Sequence, residues 1–234
     1  MIELEEILSS GEIEIEGRLV DASNATLLTS ITFNNQSRKA IYKPISGERP
    51  LWDFNTGNLA SRERAAYLIS KYSGLDLVPL TILRDGPFGP GMVQEWIEID
   101  VDVDLALYFK QEFDELRKVA LFDAIINNTD RKIGHLLPNS RGELYVCDHG
   151  VTFHEEDKLR TVLWQWAADP LKESEIETLT LLRGALFNSE IQELKELLSN
   201  VEYLALIGRI EKLLAESRMP SPNPEWPSVP WPPF

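Results

Sequence analysis

The chain has little cysteine, little positive charge and no long apolar run. A single cysteine, Cys147, excludes an internal disulfide and points to a reducing compartment. The 23 basic residues are outnumbered by 38 acidic ones, giving a net charge of -15. That balance argues against non-specific binding to nucleic acid or to an anionic membrane, both of which call for a basic surface. No apolar stretch approaches the roughly 18 residues a membrane-crossing helix requires. The opening Met1-Ile2-Glu3-Leu4-Glu5-Glu6 is acidic and has no signal-peptide pattern, so a cytoplasmic protein without stable membrane insertion is expected. There are three histidines and no His-Glu-x-x-His helix, which leaves a zinc hydrolase without its strong motif.

What is present is a chain of 234 residues, long enough for one domain with two lobes or for two small domains. Ile13, Ile15, Gly17 and Leu19 alternate with charged residues over 12–20 and predict a half-buried strand. A turn over 21–24, a strand over 25–33, a turn over 34–37 and a strand over 38–43 follow. Residues 45–57 are rich in turn formers yet hold Trp52 and Phe54, as an insert folded over something does. The spacing predicts a helix over 60–72, stopped by Gly74, and strands over 78–84 and 92–97. Between those strands, 85–91 carries three glycines and two prolines. The prolines remove N–H donors and no helix follows, so this stretch reads as a hairpin turn and not as a phosphate loop. Helices are expected over 105–109 and 113–127. Two more are announced by capping boxes at Ser174-Glu175-Ile176-Glu177 and Ser199-Asn200-Val201-Glu202. Their predicted core stripes are Ile176, Leu179, Leu182, Leu186 and Val201, Leu204, Ile207, Leu214. Residues 219–234 hold seven of the fourteen prolines and two tryptophans, which favours an extended tail that packs on its own domain or docks on a protein partner.

The centre of the chain is Asn127-Asn128-Thr129-Asp130-Arg131-Lys132-Ile133-Gly134-His135-Leu136-Leu137, followed by Val146-Cys147-Asp148-His149-Gly150. A polar loop held between apolar elements is where catalytic groups tend to sit. Here it presents two acids, Asp130 and Asp148, from neighbouring arms of a predicted hairpin. This pattern resembles the catalytic core of kinases, with Asp-His-Gly in the place of Asp-Phe-Gly. The form Asn-x-Asp-Arg is closest to the phosphatidylinositol kinases and the HipA-type bacterial kinases. The span from about Glu12 to Pro170 is similar to a bacterial family labelled phosphatidylinositol 3- and 4-kinase-like.

The resemblance implies an α+β, two-lobed protein-kinase-like fold. A small antiparallel β lobe over 1–99 would precede a larger, mostly helical lobe over 100–217 and a tail over 218–234. It implies an ATP-dependent phosphotransferase that uses Mg²⁺ or Mn²⁺ and a hydroxyl acceptor on a protein, lipid or small molecule. Lys43, held by Glu63, would bind the α- and β-phosphates. Ser23 and Asn24 would lie over the phosphates in a first turn that has no glycine. Backbone groups of Glu95, Trp96 and Ile97 would meet adenine. Asp148 and His135 would hold metal, Asp130 would orient the acceptor, and Lys132 would neutralise the moving phosphoryl. Lys158 and Arg160 fall where kinases carry the activation or substrate loop and read either as contacts to phosphate or an anionic substrate or as solvated basic residues at a helix start. The alternatives are an inactive nucleotide-binding pseudokinase and an AMP transferase on the same fold. His135, where kinases carry an asparagine oxygen, bears on that choice, because imidazole suits Mn²⁺ better than Mg²⁺.

Overall fold

Strand alternation in the first half of the chain decides which side chains reach the site. The computed structural model describes all residues except 1, 20–23, 50, 52, 55–56 and 189–190. Ser23 and Trp52 therefore lie outside the described residues. Helix α1 (Leu4–Ser10) leads into strands β1 (Glu12–Arg18), β2 (Leu27–Phe33) and β3 (Gln36–Pro44). Helix α2 (Leu59–Tyr72) and strands β4 (Thr81–Gly86) and β5 (Gly89–Glu95) complete the first part. The five strands form an antiparallel sheet in the order β1-β2-β3-β5-β4. One face packs Leu27, Ile31, Ala40, Tyr42 and Val93 against Ile7 and Leu8 of α1. Side chains alternate along a strand, so burying Ala40 and Tyr42 on that face turns Lys43 to the other.

The β4–β5 hairpin is longer than the sequence suggests. Pairing continues through Asp85↔Pro90 and Gly86↔Gly89, which leaves Pro87-Phe88 as the turn and absorbs most of the predicted loop into strand. Gly91 is required there, since a Cβ would lie 2.5 Å from the Lys43 carbonyl oxygen.

The second part comprises α3 (Leu105–Tyr108), α4 (Asp114–Ile126), the hairpin β6 (Leu136–Pro138) and β7 (Leu144–Val146), α5 (Glu173–Phe187), α6 (Leu194–Leu197) and α7 (Asn200–Glu216). Its core includes Leu116, Phe122, Ile125, Val146, Leu179, Leu182, Leu206 and Ile210. Two expectations are corrected here. Helix α5 starts at Glu173, one residue before Ser174, and its box is made by Glu175, whose carboxylate accepts the Lys172 N–H at 2.7 Å. In α7 the buried stripe is Tyr203, Leu206, Ile210 and Leu213, while the predicted Val201 and Leu204 are more than half exposed. Ile176 is also exposed. The box at Ser199 forms as read, with the Ser199 N–H donating to Glu202 at 2.9 Å.

Helix α2 belongs to both parts. It follows the small sheet's third strand, yet its Ala65, Ala66, Leu68 and Ile69 sit in the core of the helical part. Ion pairs reinforce this attachment. Arg62 meets Glu202 of α7 at 2.6 Å with both side chains buried, and Arg64 meets Glu193 at 2.8 Å. Residues 219–234 are extended and lie on the helical part: Thr161 donates to the Ser228 carbonyl at 3.0 Å and Ile133 to that of Pro233 at 2.9 Å. Among the described residues, no helix is long and apolar enough to cross a membrane.

Removing one partner of a buried ion pair strands the other charge. Arg62→Leu is therefore expected to cost about 3–5 kcal/mol in urea unfolding. A loss below about 1 kcal/mol, the range of exposed pairs, would show that the pair does not hold α2 to the helical part.

Candidate active site

The site is built on a buried arginine. Arg131 and Asp123 are both fully buried, and their side chains pair at 3.0 Å. Asp123 also accepts from Asn128 Nδ2 at 3.0 Å and Thr161 Oγ1 at 3.1 Å. A carboxylate has acceptor capacity for all of these, which is how a charge is accommodated without water. Arg131 Nη1 donates to Cys147 O, and Nη2, which also pairs with Asp123, donates to His149 Nε2, both at 2.8 Å. Those two residues flank Asp148, while Arg131 itself follows Asp130. One guanidinium thus fixes the backbone beside both candidate acids. The sequence reading named neither Asp123 nor Arg131 as a site residue. The available signal was an acid within the apolar pattern of α4, since a buried acid requires a partner.

Helix α4 ends abruptly because Asn127 takes the left-handed conformation, φ 51°, which asparagine tolerates better than most residues. Asn127 Nδ2 then donates to the carbonyls of His154 and Glu156, and its Oδ1 accepts from Lys158 N–H. Asn128 Oδ1 accepts the Asp130 N–H at 3.0 Å, so it is spent on shaping the loop. Asp130 is partly exposed, and Lys132 Nζ lies 3.6 Å from its Oδ2. Burial raises the Asp130 pKa above its ordinary value, against the lowering charge of Lys132.

Lys43 lies between two carboxylates, 2.7 Å from Glu63 Oε1 and 2.9 Å from Asp148 Oδ1. The other Glu63 oxygen accepts the His149 N–H at 2.9 Å. Helix α2 is aimed at Lys43 by the insert before it: Glu48 accepts the N–H groups of Leu59 and Ala60, both at 2.9 Å. Burial alone would lower the Lys43 pKa, but the charges of Asp148 and Glu63 outweigh it and raise the ammonium's pKa. Burial would raise Glu63, yet Lys43 and the His149 hydrogen bond hold it at about 2. The Lys43 charge likewise holds Asp148 well below the ordinary carboxylate range. Asp148 has φ 62°, an uncommon backbone for a side-chain-bearing residue, and keeps 51% of its side-chain surface exposed.

His135 lies beside Asp148, with Nε2 3.4 Å from Oδ2. Its Nδ1 accepts the Lys132 N–H at 3.4 Å, so in the neutral ring the proton resides on Nε2 and faces the carboxylate. Burial lowers the His135 pKa to about 4, which keeps the ring neutral at pH 7. In this arrangement the protonated Nε2 of His135 faces the Asp148 carboxylate at 3.4 Å. A metal centre made of three or more His, Cys, Asp or Glu side chains is absent among the described residues. Asp148 nonetheless fits a Mg²⁺ or Mn²⁺ that arrives with phosphate oxygens, since Mg²⁺ commonly uses one or two carboxylates and keeps waters. His149 is fully buried and serves as the Arg131 acceptor.

Asn24 Oδ1 accepts the Arg49 N–H at 3.0 Å, so it ties the insert to the first turn. At the predicted adenine edge, the Glu95 N–H donates to Leu80 O and the Trp96 N–H to Lys39 O, which leaves the Ile97 N–H and the local carbonyls. The insert itself bridges α2 to the segment after Asp148: Arg62 lies over the Phe54 ring at 4.8 Å, and Phe54 meets the His154 ring at 5.2 Å. A cavity of about 490 Å³ lies away from Lys43, between α4, α7 and residues 218–221, and holds none of these groups.

The depressed Glu63 and Asp148 pKa values make Lys43 the source of a pH effect. Their ionised forms stabilise the fold above the ordinary carboxylate range, and that contribution fades as pH falls toward the folded values. In Lys43→Met the largest influence lowering Glu63 is gone, and burial with the Asp148 charge raises its pKa against the remaining His149 hydrogen bond, so the stability gained on ionising it shrinks or reverses as pH rises. The variant's deficit against wild type in urea unfolding is expected to be large at about pH 7 and to shrink toward about pH 3. A deficit independent of pH would contradict the pairing.

No family model matches the chain. The crystal structure of the Golgi casein kinase superposes with a TM-score of 0.56 at 14% identity, over 91% of this chain and 74% of that one. The same kinase with Mn/ADP bound gives 0.56 at 13% identity over the same shares. The two-lobed α+β arrangement, with its antiparallel sheet and its helical part, is therefore a kinase-like fold. Protein Rv2133c of Mycobacterium tuberculosis (strain ATCC 25618 / H37Rv) is 40% identical over 263 aligned positions, covering 97% of this chain and 94% of that protein. At that identity and coverage, this kinase-folded chain belongs to the family of the mycobacterial protein Rv2133c.

Proposed function

We propose that the protein is an ATP-dependent phosphotransferase that moves the γ-phosphoryl group to a hydroxyl. The observation that carries this reading is the Lys43 ammonium, 2.7 Å from Glu63 and 2.9 Å from the half-exposed Asp148. A structural ion pair needs one acid. The second, open carboxylate is suited to a metal-bound polyphosphate. Support also comes from the kinase-like fold and from the Golgi casein kinase crystal that holds Mn and ADP. The Asn-x-Asp-Arg form supports the finer assignment to the phosphatidylinositol-kinase-like type. A cytoplasmic setting fits the lone thiol, Cys147.

In this reading Lys43 turns from Asp148 to the α- and β-phosphates while Glu63 keeps it oriented. Asp148 holds Mg²⁺ or Mn²⁺, which when bound neutralises phosphate charge. The Ile97 N–H and carbonyls of Glu95 to Ile97 receive the base. Asp130 accepts the proton of the acceptor hydroxyl as its oxygen bonds to the γ-phosphorus. The bond from that phosphorus to the bridging oxygen breaks, and ADP leaves with the electron pair. Lys132, 3.6 Å from Asp130, balances charge on the transferred group. Nucleotide binding without transfer is the second reading. It is favoured by His135, whose Nε2 lies 3.4 Å from Asp148 where a second oxygen ligand would serve a metal.

Asp130→Asn is expected to lower turnover of γ-labelled ATP by roughly 10²–10⁴-fold, the usual share of a general base, while metal-dependent nucleotide binding persists. The wild-type rate should fall toward acid, with its limb above the ordinary aspartate value because burial raises Asp130. Unchanged turnover in Asp130→Asn would exclude this role.

A further inference from the structure

In a strongly acidic protein, Arg160 makes no ion pair among the described residues, and its guanidinium meets only the face of Trp226. Its backbone is tied to both sides of Asp130: its N–H donates to Asn128 O at 2.9 Å, and its carbonyl accepts the Arg131 N–H at 3.1 Å. Among the described residues its guanidinium makes no hydrogen bond or ion pair, and its Nε is buried and unsatisfied. The charge is nevertheless felt at Asp130, whose carboxyl it acts upon. Trp226 of the tail lies alongside, its ring centroid 6.0 Å from the guanidinium carbon, and its own indole N–H is likewise buried without a partner. Orphaned buried donors are uncommon and call for an explanation. Two of them lie on neighbouring side chains, one of which acts on the proposed catalytic acid.

The tail also restricts what can enter. An extended peptide acceptor gains affinity by pairing with free backbone N–H groups. Next to Asp130, two such groups are already taken by this chain: Ile133 N–H by Pro233 O and Thr161 N–H by Ser228 O. The Trp164 indole N–H donates to the same Ser228 carbonyl at 2.9 Å, and Phe234 lies against Gly134. The backbone positions a substrate strand would use are filled, while the side-chain donors beside them are vacant.

From this juxtaposition we infer that the acceptor is a small soluble hydroxyl compound carrying its own oxyanion, gripped by Arg160 and the Trp226 indole N–H against a wall formed by the tail. This rests on the phosphotransferase reading above and adds the substrate class. Arginine suits the task because its planar fork matches phosphate and carboxylate oxygens. Arg160 sets which hydroxyl compound is positioned at Asp130, and Asp130 takes the proton.

The direct probe is the Nε–Hε resonance of Arg160 in ¹⁵N-labelled full-length protein, assigned by its loss in Arg160→Lys. The indole N–H of Trp226, assigned with Trp226→Phe, is read in the same spectra. Inorganic phosphate and glycerol 3-phosphate are expected to shift both resonances saturably, and glycerol neither. In Arg160→Gln the indole shift should require roughly tenfold more phosphate, the effect of losing a charge-assisted hydrogen bond. No saturable shift, or an equal response to glycerol, overturns the inference. The Ile133 and Thr161 amide resonances should stay in place at phosphate saturation, and their displacement overturns the tail as a fixed wall. Vesicles of phosphatidylglycerol should not sediment the protein. Sedimentation lost in Arg160→Gln would replace a soluble acceptor with a lipid headgroup. ATP binding with Mg²⁺ on the same sample separates the two claims. Nucleotide binding without a phosphate response defeats only the acceptor class, whereas a phosphate response without nucleotide binding defeats the phosphotransferase reading.

Discussion

The arrangement depends on one guanidinium buried where water cannot reach it. Arg131 pairs with Asp123 inside the helical part and also donates from Nη1 and Nη2 to the residues on either side of Asp148. A charge so placed is tolerated only when all its partners are present, so the loop bearing Asp130 and the turn bearing Asp148 are fixed relative to each other. The spacing of two acids contributed by different segments thereby becomes a property of the core. The left-handed backbone at Asn127 and Asp148 is held by the same packing. Strain of this kind, of order 1–3 kcal/mol per residue, persists only where surrounding contacts over-determine it.

The second constraint is the attachment of α2. In kinases, the placement of the corresponding helix controls whether the lysine–glutamate pair forms. Here that helix shares its apolar side with the helical core and is pinned through Arg62 and Arg64 to α7 and to the segment before α6. Glu48 caps its start from the insert. Lys43 and Glu63 meet within this chain at 2.7 Å. The same insert and the tail both lean on the segment after Asp148, through Phe54 on His154 and Trp226 beside Lys158 and Arg160.

Much of this was legible in the sequence, for physical reasons. Strand alternation around Ile13, Ile15 and the β3 stretch, together with turn-forming asparagines, gave the small sheet. Lys43 and Glu63 were readable as a pair because a strand lysine and a helix acid at that separation matched a known geometry. Other features were not readable because they depend on tertiary choice. Helix α7 carries apolar residues on more than one side, so spacing alone did not decide between Val201 and Leu204 and the stripe at Leu206, Ile210 and Leu213 that packs. The start of α5 moved because a glutamate reaching back to a backbone N–H caps a helix without the serine. The strands extended into Asp85–Gly91 because two turn residues suffice. The Arg131–Asp123 pair was hidden because an acid in an apolar helix looks like an interruption until its partner is seen. The docking of the tail was equally hidden, since proline content dictates an extended chain and says nothing about where it lies.

The chemistry that emerges is economical. In the proposed reading, the ammonium shared by two carboxylates would receive polyphosphate, the open acid Asp148 would hold metal, and Asp130 would face the acceptor near Arg160, which has no ion pair among the described residues. All of it rests on a nucleotide entering between Lys43 and Asp148. The most direct measurement is a calorimetric titration of ATP, with Mg²⁺ and with Mn²⁺, into wild type and Asp148→Ala. The account predicts binding that requires the metal and disappears in the variant. Absence of binding with either metal, or equal binding by Asp148→Ala, would contradict it.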